Sequence, residues 1–344
     1  MTKQKDYNSY KIKKGDTLFN IAEALGKNYS EVARFHNIYA KQEDLIGMEF
    51  PITLKKLFIS PNISEKHIDN IPKTNFLFDS KLALKPFNKK LFYEVEISQT
   101  FENEVFNLNC KKTICYLKKM GEFHIFEIGS TLVNEDLSGI SVEFSATVVN
   151  AVYPLELVVN DNGNWVGINN FESIAQRWQY LKATIRDNFE GIDTEKRLLF
   201  YEVLFVNEAH CIKLLRNDVF LQTYFNNLYA NHSRGFYFDR EVCFALLPSI
   251  APIGFAIEQF VEEYLNEQNK IEIIQKGVID DARSCMDLEN ELDEAYFGGE
   301  MPMGNYMATY KLDCETNYID FAELYCNLDL SQPIEINVTI QLVD

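Results

Sequence analysis

The chain has few of the residues that build metal centres and disulfide frameworks. Its 344 residues include five histidines and seven cysteines. The cysteines are odd in number, form no CxxC pair and are spread from Cys110 to Cys326, which indicates reduced thiols in a cytosolic protein. The histidines also lack the spacing of zinc ligands. We therefore expect no metal site and no cofactor.

Long apolar runs are also missing. The longest, Val242–Ile257, contains Pro248, Pro252 and Gly254 and is shorter than the roughly 18 residues that a membrane-spanning helix needs. The first residues, MTKQKDYNSYKIKK, have neither the apolar centre nor the cleavage site of a signal peptide. We expect a cytoplasmic protein without a membrane span, which could be delivered or exported by a non-classical route.

Basic residues are scarce in the last part of the sequence. The formal net charge is −18. Residues 1–60 hold ten Lys/Arg and seven Asp/Glu, whereas residues 271–344 hold three and sixteen. Binding to nucleic acid or to an anionic membrane requires clustered cations, so this distribution excludes both as expected partners. A basic protein partner fits it better.

The common catalytic motifs do not occur. The sequence has no GxSxG, HExxH, Walker A or GxGxxG pattern. A cysteine peptidase could pair Cys110 or Cys115 with His210 or His232, and an acidic chain always offers carboxylate pairs of the lysozyme kind. The cysteines lie in strand-like patterns, where inert buried thiols are usual. We expect no enzyme, although a wall hydrolase or delivered toxin with an unrecognised site stays open.

The most informative pattern spans Tyr10–Ile52. Its first residues predict a short strand that enters a tight turn at Gly15, where the backbone needs freedom. Asp16 or Thr17 can then cap a helix by accepting a backbone N–H. The apolar residues that follow recur with the spacing of one helix face: Leu18, Ile21, Ala22 and Leu25.

A second helix and a closing strand complete this pattern. Ser30 and Glu31 open the helix, Val32 and Phe35 point inward, and Glu49–Thr53 forms the strand. The order strand–helix–helix–strand resembles the LysM family. The residues that carry the resemblance are Gly15-Asp16-Thr17-Leu18, Ile21-Ala22, Gly26, Asn37, Ile46-Gly47 and Phe50-Pro51.

The resemblance implies a shallow groove for N-acetylglucosamine polymers, such as peptidoglycan or chitin. By position, the glycan-binding residues would be Gly15, Asp16, Thr17, Leu18, Asn37, Leu45 and Ile46. Two features depart from the family. Ile38 follows Asn37 where members often carry proline, and only Tyr39 could serve as an aromatic platform. A LysM fold that contacts protein instead of sugar is therefore an equal alternative.

The rest of the chain divides by pattern. Residues 56–90 predict a connector rich in turn formers, after a module at 1–55. Apolar and polar residues alternate from 91 onward, which predicts antiparallel strands, and Asn162-Gly163 predicts a hairpin turn between Leu155–Val159 and Trp165–Ile168. Helices are expected at about 171–230, and five further strands at 236–246, 270–279, 304–314, 318–328 and 333–343.

Strands, then helices, then strands predict an α+β fold. We expect a small βααβ LysM module followed by a larger α+β domain at 91–344, with a curved antiparallel sheet around a helical layer. The aromatic helix Val219–Tyr229 is expected to belong to the core; the alternative is that it lines a cavity for a lipid inside the curved sheet.

Two polar features of the sequence are candidate sites. The acidic run Asp287–Asn305 alternates carboxylates as a calcium loop does, but it lacks the required glycine. A solvated helix end is the plainer interpretation, and a docking loop for a basic partner is a third. His124 lies between Glu122 and Glu127 on a predicted strand, where alternation sends neighbours to opposite faces, so we expect a surface histidine.

A wall-binding pattern without an export signal suggests machinery that carries its own proteins across the envelope. We expect a non-enzymatic component or cargo adaptor of a bacterial contractile injection apparatus, of the type VI secretion or phage-tail-like kind. It would dock through protein contacts and could meet peptidoglycan. An ordinary peptidoglycan-binding protein of the cell envelope is the alternative, and carriage of a lipid or small molecule is a further one.

Overall fold

The computed structural model describes residues 7–13, 15–25, 27, 29–41, 44–46, 50–51, 54–59, 82–86, 89–101, 104–132, 149–188, 192–230, 237–247, 250–262 and 265–343. Within these ranges the chain forms two sheets, one of two strands and one of eleven. No helix in the described part combines the length and apolar character that crossing a membrane would need.

The two-stranded sheet belongs to the N-terminal residues. The elements in order are β1 (Asn8–Lys11), α1 (Leu18–Ala24), α2 (Tyr29–Tyr39) and β2 (Lys56–Ile59), and β1 pairs antiparallel with β2. Their buried apolar residues form a separate small cluster: Ile21, Ala22, Val32, Ile46, Leu54 and Leu57. This cluster provides the hydrophobic contact that fixes both short helices to the strand pair.

The closing strand lies later than the sequence predicted. Of Glu49–Thr53, the structure describes only Phe50 and Pro51, and neither is in a strand. The strand is instead Lys56–Ile59, in which Leu57 and Ile59 are buried and Lys56 is exposed. A proline lacks the N–H that a ladder requires, which explains why pairing begins beyond Pro51.

All neighbouring strands of the eleven-stranded sheet pair antiparallel. Their order is β7-β6-β5-β4-β3-β13-β12-β11-β10-β9-β8. The last strand of the chain therefore lies in the middle, and β7 and β8 are the edges. The strands are β3 (Lys90–Phe101), β4 (Glu104–Met120), β5 (Phe123–Leu132), β6 (Leu155–Val159), β7 (Trp165–Ile168), β8 (Tyr237–Phe244), β9 (Ile253–Val261), β10 (Lys270–Ile279), β11 (Asn305–Asp313), β12 (Ile319–Leu328) and β13 (Ile334–Val343).

Alternation along the strands buries one face of this sheet. In β13, Ile334, Ile336, Val338 and Ile340 are almost fully buried, while residues between them are more exposed. The buried face carries most of the core, including Tyr306 and Tyr310 of β11. Burial of this large apolar area supplies the main stabilisation of the fold.

Among the described residues, the helices that follow the N-terminal module are fewer than the strands of the large sheet. They are α3 (Phe171–Asn188), α4 (Ile192–Val206), α5 (Glu208–Leu215), α6 (Val219–Tyr224) and the short α7 (Cys285–Glu289). Asp218 caps α6 by accepting from the amide of Leu221 at 2.9 Å. The helix ends after six residues, and Asn227 then adopts a φ of 51°.

The segment Phe220–Tyr229 lies in the core, which confirms the expectation for these aromatic residues. Tyr224 meets Tyr93 of β3, with 3.0 Å between their hydroxyl oxygens. Tyr229 donates to the carbonyl of Asn317, and Asn226 donates to the hydroxyls of Tyr306 and Tyr310 at 2.7 Å. Strands that precede and follow the helices in sequence are thus tied to one central segment.

The predicted fold class is wrong. The structure is mostly β, 26% helical and 42% strand, with a large eleven-stranded antiparallel sheet and few helices. An α+β fold made of a small βααβ LysM module and a domain with a helical layer is not what it shows. Two causes are visible: β4 extends over 17 residues, and β9 is a further strand that was not among those predicted.

Candidate functional site

The turn before α1 and the first residue of that helix contain four of the seven predicted glycan-binding residues. Gly15 has a φ of +94°, a conformation that side chains with a Cβ rarely adopt. The carboxylate of Asp16 accepts from the amide of Lys13 at 2.7 Å and from the hydroxyl of Tyr10 at 3.0 Å. Its hydrogen bond raises the pKa of Tyr10 above the ordinary value. The turn is therefore held to β1 by one carboxylate.

Thr17 caps α1. Its hydroxyl oxygen accepts from the amide of Asn20 at 3.2 Å, as expected for a residue just ahead of a helix. Thr17 and Gly15 are exposed, and Leu18 is half-buried against the small cluster that contains Ile46. The turn thus presents backbone and one hydroxyl to solvent, supported by an apolar base.

Asn37 and Ile46 are buried, and the side chain of Asn37 forms hydrogen bonds with the backbone of Ile46. The Asn37 amide nitrogen donates to the Ile46 carbonyl at 2.9 Å, and its side-chain oxygen accepts from the Ile46 N–H at 2.8 Å. Only 4% of Asn37 and 3% of Ile46 are exposed. These predicted ligand contacts are thus committed to holding the end of α2 to the following loop, and Leu45 beside them is half-buried.

His36 is the second polar residue in this interior. Its Nδ1 accepts from the amide of Phe58 at 2.9 Å, and its Nε2 lies 2.9 Å from the carbonyl of Asp44. A carbonyl can only accept, so the neutral ring carries its proton on Nε2. Burial lowers the pKa of His36; the charge of Lys276 acts in the same direction, against Asp44. One neutral imidazole therefore joins α2 to β2.

Aromatic residues gather around the end of α2. Tyr39, the one candidate platform, is 37% exposed and lies 5.0 Å from Phe35 and 5.3 Å from Tyr7 between ring centroids. Tyr7 in turn lies 4.6 Å from Phe58. The Phe35 and Tyr39 pair could have been found in the sequence, because residues four apart share a helix face. Tyr7 and Phe58 gave no such local signal.

A lysine of the large sheet reaches this module. Lys276 of β10 donates through Nζ to the carbonyl oxygen of Asn37 at 2.8 Å and also to that of Ile38. The final carbonyls of a helix lack partners within it and carry partial negative charge, so a cation is favourable there. Lys276 and Asn37 are 239 residues apart, and no sequence pattern connects them. The C-terminal end of α2 is thus in contact with β10 of the large sheet.

The residues considered for a cysteine peptidase site were Cys110 or Cys115 with His210 or His232. Burial raises the pKa of Cys110, and raises that of Cys211 to about 12. His210 is exposed, and its Nδ1 faces the carbonyl of Val203; His232 lies outside the described residues. In the part of the chain that the structure describes, no group of three or more His, Cys, Asp or Glu side chains could hold a metal ion.

His124 was expected at the surface, and this is wrong. It is 4% exposed, and its Nε2 lies 2.8 Å from the carboxylate of Asp161. Asp161 belongs to the hairpin turn that follows β6, which pairs with the strand of His124. The sequence prediction considered only Glu122 and Glu127, and the true partner comes from the neighbouring strand's turn.

The acidic run forms a compact turn around one carboxylate. Asp287 is fully buried, and its oxygens accept from Ser284 at 2.8 and 2.7 Å and from the amides of Tyr296 and Phe297 at 3.0 and 2.6 Å. Burial alone would raise the pKa of Asp287, but these hydrogen bonds hold it well below its ordinary value. The carboxylate therefore organises the loop itself.

Comparison with known proteins adds no relative: no protein-family model matches the chain, and no curated protein matches it.

Proposed function

We propose that this chain is a non-enzymatic docking component or cargo adaptor of a bacterial contractile injection apparatus, of the type VI secretion or phage-tail-like kind. Its LysM-like N-terminal module would make protein contacts in that assembly. The observation that carries the proposal is the contact of Lys276 with the carbonyls that end α2. This contact is within the chain, and it commits the C-terminal end of α2 to the large sheet, so that end of the module is not open to a sugar.

The buried polar groups support the same interpretation. A sugar groove needs donors and acceptors that face solvent, since glycan hydroxyls must replace water at each of them. Both the nitrogen and the oxygen of the Asn37 side chain are instead hydrogen-bonded to the backbone of Ile46. The exposed apolar residues of the helices, Phe19 at 62% and Tyr29 at 55%, offer the kind of surface that protein interfaces bury.

Peptidoglycan binding is the second candidate, and the turn before α1 favours it. Gly15 and Thr17 are exposed, while Leu18 and Leu45 are half-buried. Backbone groups beside a shallow apolar surface can receive the edge of a sugar chain. This arrangement is smaller than the predicted seven-residue site, because Asn37 and Ile46 face inward.

Isolation of contractile particles from the producing bacterium tests the first candidate. We expect the tagged full-length chain to co-purify with sheath and spike proteins, and Phe19→Ser to weaken that association. Tyr180→Ser is the matched control, because Tyr180 is an exposed aromatic residue (77%) on α3, outside the module. A chain that never accompanies such particles would contradict the proposal.

Sedimentation of the same full-length protein with purified peptidoglycan tests the second candidate. A glycan site at the turn would be established by two results. Chitin oligosaccharides should prevent the protein from pelleting with peptidoglycan, and the Leu45→Lys variant should not pellet. Leu117→Lys, at an exposed leucine of β4 (40%), controls for the added charge. If pelleting occurs in both variants, contact with the wall is nonspecific and this candidate fails.

A further inference from the structure

The two edge strands of the eleven-stranded sheet line one cavity. Trp165 and Val166 of β7 contribute from one edge, and Arg240–Cys243 of β8 from the other. The cavity has a volume of about 490 Å³, which is within the range of small-molecule sites. The segment Phe225–Asn227, which follows α6, lines it as well. Residues from three distant parts of the chain therefore converge here.

Arg240 is a mostly buried cation without a carboxylate partner among the described residues. Its guanidinium donates to the carbonyls of Asn226 and Asn227 at 2.8 Å, to the side chain of Gln259 at 3.2 Å and to that of Asn226 at 2.5 Å. All four acceptors are neutral. Burial lowers the pKa of Arg240. A charge removed from water is costly unless an opposite charge offsets it, so this site favours an anion.

Two polar atoms beside the cavity lack hydrogen-bond partners within the described chain. They are Nε of Arg240 and Oδ1 of Asn227, and both are shielded from solvent. Native structures leave few such atoms unsatisfied, and each one calls for an explanation. Asn227 also has a φ of 51°, a left-handed conformation that is uncommon outside glycine. The backbone turns here in a way that brings the Asn226 and Asn227 carbonyls to Arg240.

The remaining lining supplies a second cation and flat apolar surfaces. Arg216, exposed after α5, also lines the cavity. Trp165 is half-buried and Phe225 is 5% exposed. Glu241 is the one carboxylate of the lining, and it follows Arg240 on a strand, where neighbours point to opposite faces. The lining therefore holds two arginines and one carboxylate.

We propose that this cavity binds a small organic anion with a flat apolar body. Arg216 and Arg240 hold its carboxylate or phosphate group, and Trp165 and Phe225 contact the flat body. The site is independent of the N-terminal module and of its proposed docking role. It gives the large sheet a ligand of its own, held where the two edges of the sheet come together.

Tryptophan fluorescence of the full-length chain tests the proposal, because the sequence has only two tryptophans. Trp178 is fully buried and donates to Glu202 at 2.8 Å, so Trp165 is the reporter at the cavity. The probes are benzoate, phenyl phosphate and the neutral benzamide, with calorimetry as a second readout. We expect saturable binding of benzoate or phenyl phosphate and none of benzamide. The preferred anion distinguishes a carboxylate ligand from a phosphate ester.

Arg216→Gln is the decisive variant, because Arg216 is exposed and its loss does not threaten folding. We expect about tenfold weaker binding, the effect of losing one charge-assisted hydrogen bond. Arg186→Gln, at an exposed arginine paired with Glu195, should bind as the wild type does. Trp165→Phe should lose the fluorescence change while calorimetry still detects binding. Equal binding of benzamide, an unaffected Arg216→Gln variant or no saturable binding of either anion would overturn the proposal.

Discussion

The side chain of Asn37 forms two hydrogen bonds with the backbone of Ile46, one donated at 2.9 Å and one accepted at 2.8 Å. Both residues are buried, so neither bond competes with water. This pair fastens the C-terminal end of α2 to the loop that leads toward β2. A residue that the LysM resemblance assigned to a glycan groove therefore stabilises the module from within.

Replacement of Asn37 by alanine should destabilise the N-terminal module. It leaves the buried N–H and C=O of Ile46 without partners, at a cost of about 2 kcal/mol. Hydrogen exchange of the Ile46 amide is the measurement, because it reports local opening without a single two-state transition for the whole chain. Asn20→Ala, at an exposed position of α1, is the control. Unchanged protection of Ile46 would show that the two bonds contribute nothing.

The module should loosen as the pH falls below the ordinary histidine value of 6.5. The pKa of His36 is lower in the fold than in the unfolded chain. Between these two values the unfolded chain binds the extra proton, so stability decreases as the pH decreases. Protonation at Nδ1 also removes the acceptor used by the Phe58 amide. The nearby charges are Asp44 and Lys276.

Hydrogen exchange of Phe58, corrected for its intrinsic pH dependence, measures this effect between about pH 7.5 and about pH 5. His210→Gln changes an exposed histidine and should leave the response as it is. Protection of Phe58 that stays constant over this range would rule out His36 as the cause of any acid sensitivity.

Replacement of Lys276 by methionine should free the end of α2 from the large sheet. Methionine keeps the apolar stem but has no donor for the carbonyls of Asn37 and Ile38. We expect exchange in the 37–41 segment to rise by about tenfold or more, because the variant loses both charge-assisted hydrogen bonds of Lys276. Lys311→Met, on the neighbouring strand β11, is the matched control. Equal exchange in both variants would mean that the contact does not hold the module.

The large sheet should lose stability above pH 10.0, the ordinary pKa of tyrosine. Burial raises the pKa of six tyrosines in the fold: Tyr93, Tyr153, Tyr224, Tyr229, Tyr306 and Tyr310. Their stabilisation is complete below pH 10.0 and is lost as the pH rises, because only the unfolded chain releases these protons.

Urea unfolding at a series of alkaline pH values measures this loss. Each buried tyrosine contributes a slope of about 1.4 kcal/mol per pH unit once its unfolded form is ionised. Tyr224→Phe should reduce the slope by the contribution of one tyrosine, about 1.4 kcal/mol per pH unit. A slope that is identical in wild type and variant would show that Tyr224 already ionises in the fold.

Local patterns predicted the elements well, but not their assembly. Alternation and the Asn162-Gly163 turn give β6 and β7 at their observed bounds. β9 was not among the predicted strands, although the apolar stretch Val242–Ile257 includes its first residues. At Gly254 a Cβ would lie 2.6 Å from the carbonyl oxygen of Asp280, so glycine allows a close approach there. The place of β13 between β3 and β12 depends on pairings over more than two hundred residues, which no local pattern contains.

The candidate site was likewise predictable only where its contacts join residues close in the sequence. Asp16 and Thr17 form hydrogen bonds with residues only a few positions away in the sequence. The turn and cap patterns therefore predicted their roles. The inward use of Asn37 depends on a partner nine residues away, and the contact of Lys276 depends on one 239 residues away. The cavity between β7 and β8 also gave no sequence signal, because its two walls meet only after eleven strands have paired.

The central position of β13 makes the order of synthesis important. β3–β7 leave the ribosome before α3–α6, β8–β12 leave after those helices, and the ten residues of β13 emerge later than both groups. Until then the growing chain holds two separate five-stranded ribbons, each with an open edge where β13 will pair. Such edges invite wrong partners. A nascent chain stalled before Ile334 would therefore expose both edges and be a substrate for chaperones.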